Sequence, residues 1–249
     1  MSVVQTELLT LIPLIFFAAL LFSSVGHGGA SAYLAAMALV GMAPAQMRPA
    51  ALVLNVFVAS IAVYKFYRAG AFSWALFLPL GLAAIPTAFI GGVLSLPSHI
   101  YKPILGAVLL IAAWHLFSRA KRLDNEIINQ VSKPILLGVG ALLGLLSGLT
   151  GIGGGIFLSP LLLVFKWEKT KVISGVAAAF ILVNSIAGLT GVLMKSTTLP
   201  SGLPYWVMAA VLGGYIGAEY GSKRLANPTI RSLLACILVL AGTKMLFSG

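Results

Sequence analysis

Charged residues are scarce in this chain of 249 residues. They make up 8% of it, five of them are acidic, and 60% of the residues are apolar. A soluble domain of this length needs a charged surface, so the composition excludes an ordinary soluble fold. The formal net charge is +11, yet the basic residues stand singly or in small groups at the ends of apolar runs. That pattern is typical of a membrane protein and does not indicate a nucleic-acid partner.

Cysteine is nearly absent as well, since the single one, Cys236, lies within an apolar run. This excludes a disulfide framework and a cysteine-based metal site. The three histidines lack metal-ligand spacing, and the sequence contains neither a nucleophile elbow nor paired carboxylates. We therefore expect no metal, no cofactor and no enzymatic activity.

Apolar runs of about 20 residues, long enough to cross a bilayer as helices, recur along the chain. No period-two alternation suggests a β-barrel. Breaks rich in glycine, proline and charge delimit ten predicted segments, at residues 7–25, 28–42, 47–68, 73–95, 99–118, 134–150, 153–166, 171–195, 203–222 and 228–247. The second and seventh are short, and each either spans the membrane or forms one arm of a re-entrant hairpin. The sequence thus predicts an all-α membrane protein with eight to ten transmembrane helices, some of them short or re-entrant.

The two halves of the chain resemble each other. Gly26-His27-Gly28-Gly29 corresponds to Gly151-Ile152-Gly153-Gly154 at an offset of 125 residues, and Asn55 corresponds to Asn184 at an offset of 129. Matches in the same order indicate an internal repeat. We predict a first membrane repeat at residues 1–118, a cytoplasmic linker at 119–133 and a second membrane repeat at 134–249, with about five segments in each repeat.

An odd number of segments per half means that the second half enters the membrane from the opposite side. If the sides are numbered alternately, twelve of the 16 Lys and Arg residues fall on one side. The other side holds Arg48, Lys102, Lys195 and Lys244. The positive-inside rule places the more basic side in the cytoplasm. In a bacterial inner membrane, both termini would then lie on the periplasmic side. The sequence therefore predicts two inverted repeats.

The two glycine clusters are the strongest candidates for a functional site. Glycine at this density frees backbone N–H groups from a helix and allows a ligand to approach them closely. Short helices that begin after Gly29 and Gly155 would direct their partially positive N-terminal ends at the two breaks, and two such ends near the midplane would form an anion site. The alternative is close helix packing, in which small residues are common.

The predicted substrate-binding residues combine both clusters with nearby polar side chains. They are Ser24, Gly26, His27, Gly28, Gly29, Ser31, Asn55, Thr150, Gly151, Gly153, Gly154, Gly155 and Asn184. The hydroxyls of Ser23 and Ser147 are further candidate donors. The two asparagines would either donate to a bound oxyanion or hydrogen-bond to neighbouring helices.

Two titratable residues are candidates for proton coupling. His27 stands inside a glycine cluster, and its charge near neutral pH would add positive potential or couple transport to protons. The alternative is a neutral histidine that hydrogen-bonds to a neighbouring helix. Glu219 lies in a predicted membrane segment, but Lys223 follows four residues later, which favours a simple ion pair near the cytoplasmic boundary.

Other conspicuous residues have structural explanations. The four-residue spacing of Gly213, Gly217 and Gly221 indicates a helix-packing face. Basic residues near segment ends, such as Arg48 and Lys65, are expected to extend towards water at the membrane surface.

Gly151-Ile152-Gly153-Gly154-Gly155, followed by Pro160-Leu161-Leu162, resembles the signature of the sulfite exporter TauE/SafE family, also called the toluene sulfonate uptake family. The motif of the first half is similar, but Ala30 replaces the third glycine and Ala35 stands where Pro160 stands in the second half. Together with the repeat, the resemblance covers nearly the whole chain. It implies transport of sulfur-containing anions such as sulfite, thiosulfate or organosulfonates across the cytoplasmic membrane. The departures from the motif leave the substrate open.

The sequence as a whole predicts a secondary transporter for a small anion that works by alternating access within a lipid bilayer. Proton coupling, anion exchange and uniport remain open, as do the direction of transport and assembly into a homo-oligomer. One alternative is a gated anion channel, whose flux would not saturate. Another is a non-transporting membrane subunit, although the near-absence of extramembrane domains argues against a scaffold.

Overall fold

The computed structural model describes residues 3–94, 96–118, 129–195, 199–223, 239, 242–243 and 246–247. Within these residues the structure is helical and contains no strand, which confirms the predicted all-α class. The nine helices with defined bounds are α1 Val3–Ser23, α2 Ala30–Leu39, α3 Pro44–Arg68, α4 Trp74–Val93, α5 Ser98–Ser118, α6 Lys133–Thr150, α7 Gly155–Val164, α8 Thr170–Leu193 and α9 Leu203–Lys223. Most of the predicted linker and of the tenth segment at 228–247 lies outside the described residues.

Four of these helices, α3, α4, α6 and α8, are both long and apolar enough to cross a membrane, judged over the described residues. The most deeply buried of the four is α8. It crosses the centre of the molecule beside α3, and these two helices contact each other extensively. The third helices of the two predicted halves therefore pack against each other.

The helices α2 and α7 are much shorter, with 10 residues each. At a rise of about 1.5 Å per residue, each spans about half of a hydrocarbon core that is about 30 Å thick. Both correspond to the segments that were predicted to be short. Neither is long enough to cross a bilayer alone.

Glycine faces hold the most extensive helix pairs together, and these pairs are α4 with α6 and α1 with α9. In both pairs, glycines spaced by four lie so close to carbonyls of the partner helix that an added Cβ would overlap them. On α6 these are Gly140, Gly144 and Gly148, and on α9 they are Gly213, Gly217 and Gly221. The predicted packing face on α9 is confirmed.

The contacts between helices repeat when the two halves are exchanged. In the predicted repeat α1 corresponds to α6, and α4 corresponds to α9. The pair α1–α9 therefore corresponds to the pair α6–α4, and the contacts of α3 with α9 correspond to those of α8 with α4. Each half packs its first helix against the fourth helix of the other half.

Side-chain contacts also show which helix ends lie together. Lys65 of α3 pairs with Glu219 of α9, so the C-terminal ends of these helices meet. Arg48, near the start of α3, donates to carbonyls at the end of α4. If successive segments alternate between the two sides of the membrane, as predicted, the helix ends in each of these two contacts must lie on the same side.

Candidate functional site

The first glycine break separates α1 from α2. After α1 ends, the N–H groups of Gly26 and His27 donate back to the carbonyls of Ser23 and Phe22. Gly26 and Gly29 then adopt left-handed conformations, with φ of 74° and 95°. Residues with a side chain rarely adopt such angles, so glycine is needed to turn the chain into α2.

The second break separates α6 from α7 in the same manner. Gly151, Gly153 and Gly154 have φ of 81°, 83° and 77°. Gly151 is the C-cap of α6 and its N–H donates to the carbonyl of Ser147, whereas Gly154 is the N-cap of α7. The sequence correspondence between the two clusters is therefore matched by a correspondence in backbone conformation.

The two breaks converge on the same pair of side chains. A Cβ added to Gly28 would meet Asn55 and, at 3.1 Å, Cγ2 of Ile181. A Cβ added to Gly153 would meet Nδ2 of Asn55 at 2.6 Å and Cγ2 of Ile181 at 2.9 Å. Asn55 lies near the middle of α3 and Ile181 near the middle of α8. The structure thus brings together, near the centre of the helical core, two breaks that are 125 residues apart in the sequence.

Both short helices begin at this centre without a side-chain cap. The N-cap residues are Gly29 for α2 and Gly154 for α7, and neither supplies a side-chain acceptor. The carbonyl of each N-cap accepts bonds from the third and fourth residues of its helix, so the N–H groups of the first two residues precede the first intrahelical bond. These N–H groups and the helix dipole together favour a negatively charged acceptor.

Buried polar groups beside the breaks, and the buried side chain of Asn184, have atoms with no hydrogen-bond partner in the part of the chain that the structure describes. Asn55 is fully buried and donates through Nδ2 to Ile152 O and Ser185 Oγ, each at 3.3 Å, but its Oδ1 accepts no bond. The hydroxyl of Ser147, next to Gly154, is unpartnered, and so are both amide atoms of Asn184. Buried polar groups are rarely left without a partner, so these atoms indicate a place where a ligand or water binds.

Other predicted site residues form bonds within their own segments. Ser24 donates to the carbonyl of Leu21 and Thr150 to that of Leu146, each at 2.7 Å. The Thr150 hydroxyl also accepts a bond from the N–H of Ile152 at 3.4 Å. In this conformation these two hydroxyls stabilise the ends of α1 and α6.

The remaining hydroxyls differ in their surroundings. Ser23 donates to the carbonyl of Gly214 at 2.9 Å, which joins α1 to α9 and not to the breaks. Ser31 is buried in the first turn of α2. A tyrosine that the sequence did not single out, Tyr33, donates to the carbonyl of Gly28 at 2.8 Å and so fixes the first break from within α2.

The two candidates for proton coupling lie in different places. His27 is buried at the first break, where its Nδ1 lies 3.0 Å from the carbonyl of Val25 and its ring packs edge-on against Phe22. Glu219 lies at the end of α9, where it pairs with both Lys65 and Lys223. The expected pair with Lys223 is present, and the bridge to α3 through Lys65 was not anticipated. Proton coupling through either residue stays a prediction.

The expectation for the side chain of Arg48 was wrong. Its side chain was expected to extend to the membrane surface, but the residue is 8% exposed and donates to the carbonyls of Leu94 and Gly92, each at 2.9 Å, and to that of Gly91. The reason is that the last carbonyls of α4 have no intrahelical donor and lie beside the first turns of α3. The stem of Arg48 also contacts the second break, since a Cβ on Gly151 would lie 2.9 Å from its Cγ.

A cavity of about 330 Å³ lies elsewhere, among α1, the α2–α3 connection and the start of α9. Its lining includes Leu11, Gln46 and Trp206. Among the described residues, no group of three His, Cys, Asp or Glu side chains could hold a metal ion.

Comparisons with known proteins identify relatives by sequence. No solved structure matches the chain. A protein of Sinorhizobium fredii named "Probable membrane transporter protein y4hK" is 37% identical over 98% of this chain and the whole of that relative. The "Probable membrane transporter protein YjnA" of Bacillus subtilis is 26% identical over 92% of this chain and 96% of its own length.

A family model matches nearly the whole chain. The model is described as "Sulfite exporter TauE/SafE", and it matches residues 11–245, a range that includes both glycine clusters and both central helices. With apolar helices long enough to span a bilayer and relatives named as membrane transporters, the chain belongs to the sulfite exporter TauE/SafE family of membrane transporter proteins.

Proposed function

We propose that this protein is a secondary transporter that moves a small sulfur-containing anion across the bacterial cytoplasmic membrane. The candidate anions are sulfite, thiosulfate and organosulfonates, a class suggested by the family. The anion binds between the N-terminal ends of α2 and α7 and is exposed to the two sides of the membrane in turn. No metal, cofactor or enzymatic step is required.

One observation carries this proposal. The starts of α2 and α7 come from different halves of the chain, yet both breaks contact Asn55 and Ile181. Each helix start supplies unpaired N–H groups and about half a positive charge. Packing alone would not require two uncapped helix starts to meet beside a buried amide that lacks one partner. An oxyanion would accept from the N–H groups of both helix starts.

The tight packing at the breaks supports alternating access. In this conformation there is no room for even a Cβ at Gly28 or Gly153. An anion can therefore reach the N–H groups only if the helices that carry the breaks separate from α3 and α8. If separation occurs on one side at a time, the anion is transferred without a continuous pore.

A pair of glycine substitutions tests the site. Gly28→Ala adds a methyl group against Asn55, whereas Gly138→Ala adds one on α6 with no atom within 4 Å. Overpacking costs about 1–3 kcal/mol, so we expect the closed conformation of Gly28→Ala to be disfavoured about fivefold or more. Uptake of labelled thiosulfate and sulfite into proteoliposomes should fall accordingly, and Gly138→Ala should match the wild type.

Thermal stabilisation by anions provides a second measurement on the same proteins. An anion at about a hundred times its Kd should stabilise the wild type by about 2.7 kcal/mol. Gly28→Ala should lose most of that gain, because its methyl group occupies the space between the first break and Asn55 in which the anion would bind. The proposed site would be wrong if Gly28→Ala transported and bound every tested anion as the wild type does.

A gated anion channel is the second candidate, and the kinetics of the wild type distinguish it. A transporter should show saturable uptake that is accelerated by unlabelled anion on the opposite side. A channel should show flux that follows the gradient without saturation and an anion current in planar bilayers. Saturation together with exchange would exclude the channel.

A further inference from the structure

We propose that Arg48 is a direct ligand of the transported anion, which it binds on the side of the site where α3 begins. This inference rests on the proposed function, because it assigns a charged residue to the same site. Nothing in the sequence pattern marks Arg48, whose position near a segment end suggested a side chain directed at water.

The first argument is the charge of Arg48. The residue is more than nine-tenths buried, and both ion pairs in the described part of the chain involve Glu219 and not Arg48. The carbonyls of Gly91, Gly92 and Leu94 solvate the two terminal nitrogens but bring no formal negative charge. A buried cation without a counter-charge is costly, and an anion beside it would remove that cost.

The second argument is the position of Arg48. Its Cγ and its carbonyl oxygen would lie 2.9 and 3.2 Å from a Cβ on Gly151, so the side chain starts at the second break. Tyr101 donates to the carbonyl of Thr150 at 3.0 Å and so also contacts this turn. Any movement that opens this break must therefore change the surroundings of the guanidinium.

The third argument is an unused donor. The Nε of Arg48 is buried and has no partner among the described residues. A guanidinium that only capped α4 would need no further acceptor. An oxyanion can accept from Nε, and it can accept from Nη2 in the parallel, two-bond geometry if it replaces one of the two α4 carbonyls that Nη2 now contacts.

The other half of the chain shows that a cation is not needed for this kind of helix packing. The residue 129 positions after Arg48 is Ala177, a fully buried alanine in α8. The related helix thus packs without a charge at this place. Arg48 makes the site asymmetric, because it places a formal positive charge on the side where α3 begins. This charge favours anions that carry two negative charges over those that carry one.

The test compares Arg48→Gln and Arg48→Lys with Arg68→Gln, a control at the opposite end of α3. Arg68 is exposed and contacts the hydroxyl of Tyr64 at 3.0 Å. The probes are thiosulfate, with two negative charges, and methanesulfonate, with one. For each protein, KM and the maximal rate in proteoliposomes and the thermal shift in detergent are measured with both probes.

We expect Arg48→Gln to raise the KM for thiosulfate about tenfold or more, because a charged hydrogen bond is lost, and to raise the KM for methanesulfonate much less. Arg48→Lys should keep the preference for thiosulfate, since it keeps the charge. Arg68→Gln should leave both values unchanged. A residue that merely capped α4 would lower the stability of both variants and leave the ratio of the two KM values as it was.

Protection of the wild type from chemical modification gives a readout that does not depend on whether a variant folds. Thiosulfate should slow the reaction of phenylglyoxal with Arg48, followed by mass spectrometry, and should not slow its reaction with Arg68. An unchanged KM ratio in Arg48→Gln, or equal protection of the two arginines, would overturn the inference. If the wild type neither bound nor transported any sulfur oxyanion or sulfonate, the proposed function itself would fail, and this assignment with it.

Discussion

At the scale of single residues, the two matched asparagines differ more than the repeat suggests. Asn55 forms two hydrogen bonds through Nδ2, whereas neither amide atom of Asn184 has a partner in the described part of the chain. Both are fully buried. In this conformation, therefore, Asn55 contributes hydrogen bonds to the core, and Asn184 is destabilising.

This difference predicts opposite effects of the same substitution. Asn184→Leu removes an unsatisfied amide, which costs about 1–3 kcal/mol when buried, and should raise the midpoint of thermal unfolding while lowering anion transport. Asn55→Leu leaves Ile152 O and Ser185 Oγ without their donor and should lower the midpoint. Unfolding in detergent and uptake in proteoliposomes check both effects. A less stable Asn184→Leu would indicate that its amide is satisfied.

The residues of the site were only partly predictable from the sequence. The glycines could be identified because left-handed turns usually require glycine. Asn55 and Asn184 could be identified because polar residues stand out in apolar runs. Ile181 and Arg48 could not be identified, since an isoleucine in a membrane helix is ordinary and an arginine near a helix end usually reaches water. Their roles depend on which helices cross, and local patterns carry no such information.

At the scale of helices, composition and glycine spacing predicted which segments are helices and which helix face packs closely. They did not predict which helix that face packs against. The short segments expected at 28–42 and 153–166 are helices at Ala30–Leu39 and Gly155–Val164. The Gly213–Gly217–Gly221 face was expected to pack, but the sequence did not show that its partner is α1. In the equivalent pair, α4 with α6, the three glycines spaced by four lie on α6, and Gly91 of α4 also lies against the carbonyl of Leu145. The two pairs therefore reach close contact through glycines at different positions.

The pair α1–α9 provides a stability prediction. A Cβ on Gly217 would overlap the carbonyl of Leu20 and the hydroxyl of Ser23, and the carbonyl cannot move without disturbing α1. Gly217→Val should therefore lower stability by at least the cost of overpacking, about 1–3 kcal/mol. Gly138→Val, where the added Cβ meets no atom within 4 Å, is the matched control. Equal melting temperatures for the two variants would contradict the packing described for α9.

At the scale of the whole molecule, α3 and α8 begin at opposite ends of the central helix pair. The start of α8 contacts the segment just beyond the end of α3, since a Cβ on Gly175 would overlap the carbonyl of Ala71. The N-cap of α8 is Lys169 and that of α3 is Ala43, at the other end of α3. Equivalent helices in two parallel repeats would begin on the same side. The antiparallel relation is what the inverted-repeat hypothesis requires.

This geometry leads to a prediction for the protein in its membrane. In a Cys236→Ser background, Ala43→Cys and Lys169→Cys place a thiol at corresponding, exposed N-caps of the two halves. A membrane-impermeant maleimide should label Ala43→Cys in cells with a permeable outer membrane, and should label Lys169→Cys only after the inner membrane is opened, because the basic side faces the cytoplasm. The reverse pattern would put both termini in the cytoplasm, and labelling of both from one side would contradict the inversion. The inversion matters for the mechanism, because only inverted halves present their short helices to the anion from opposite sides of the membrane.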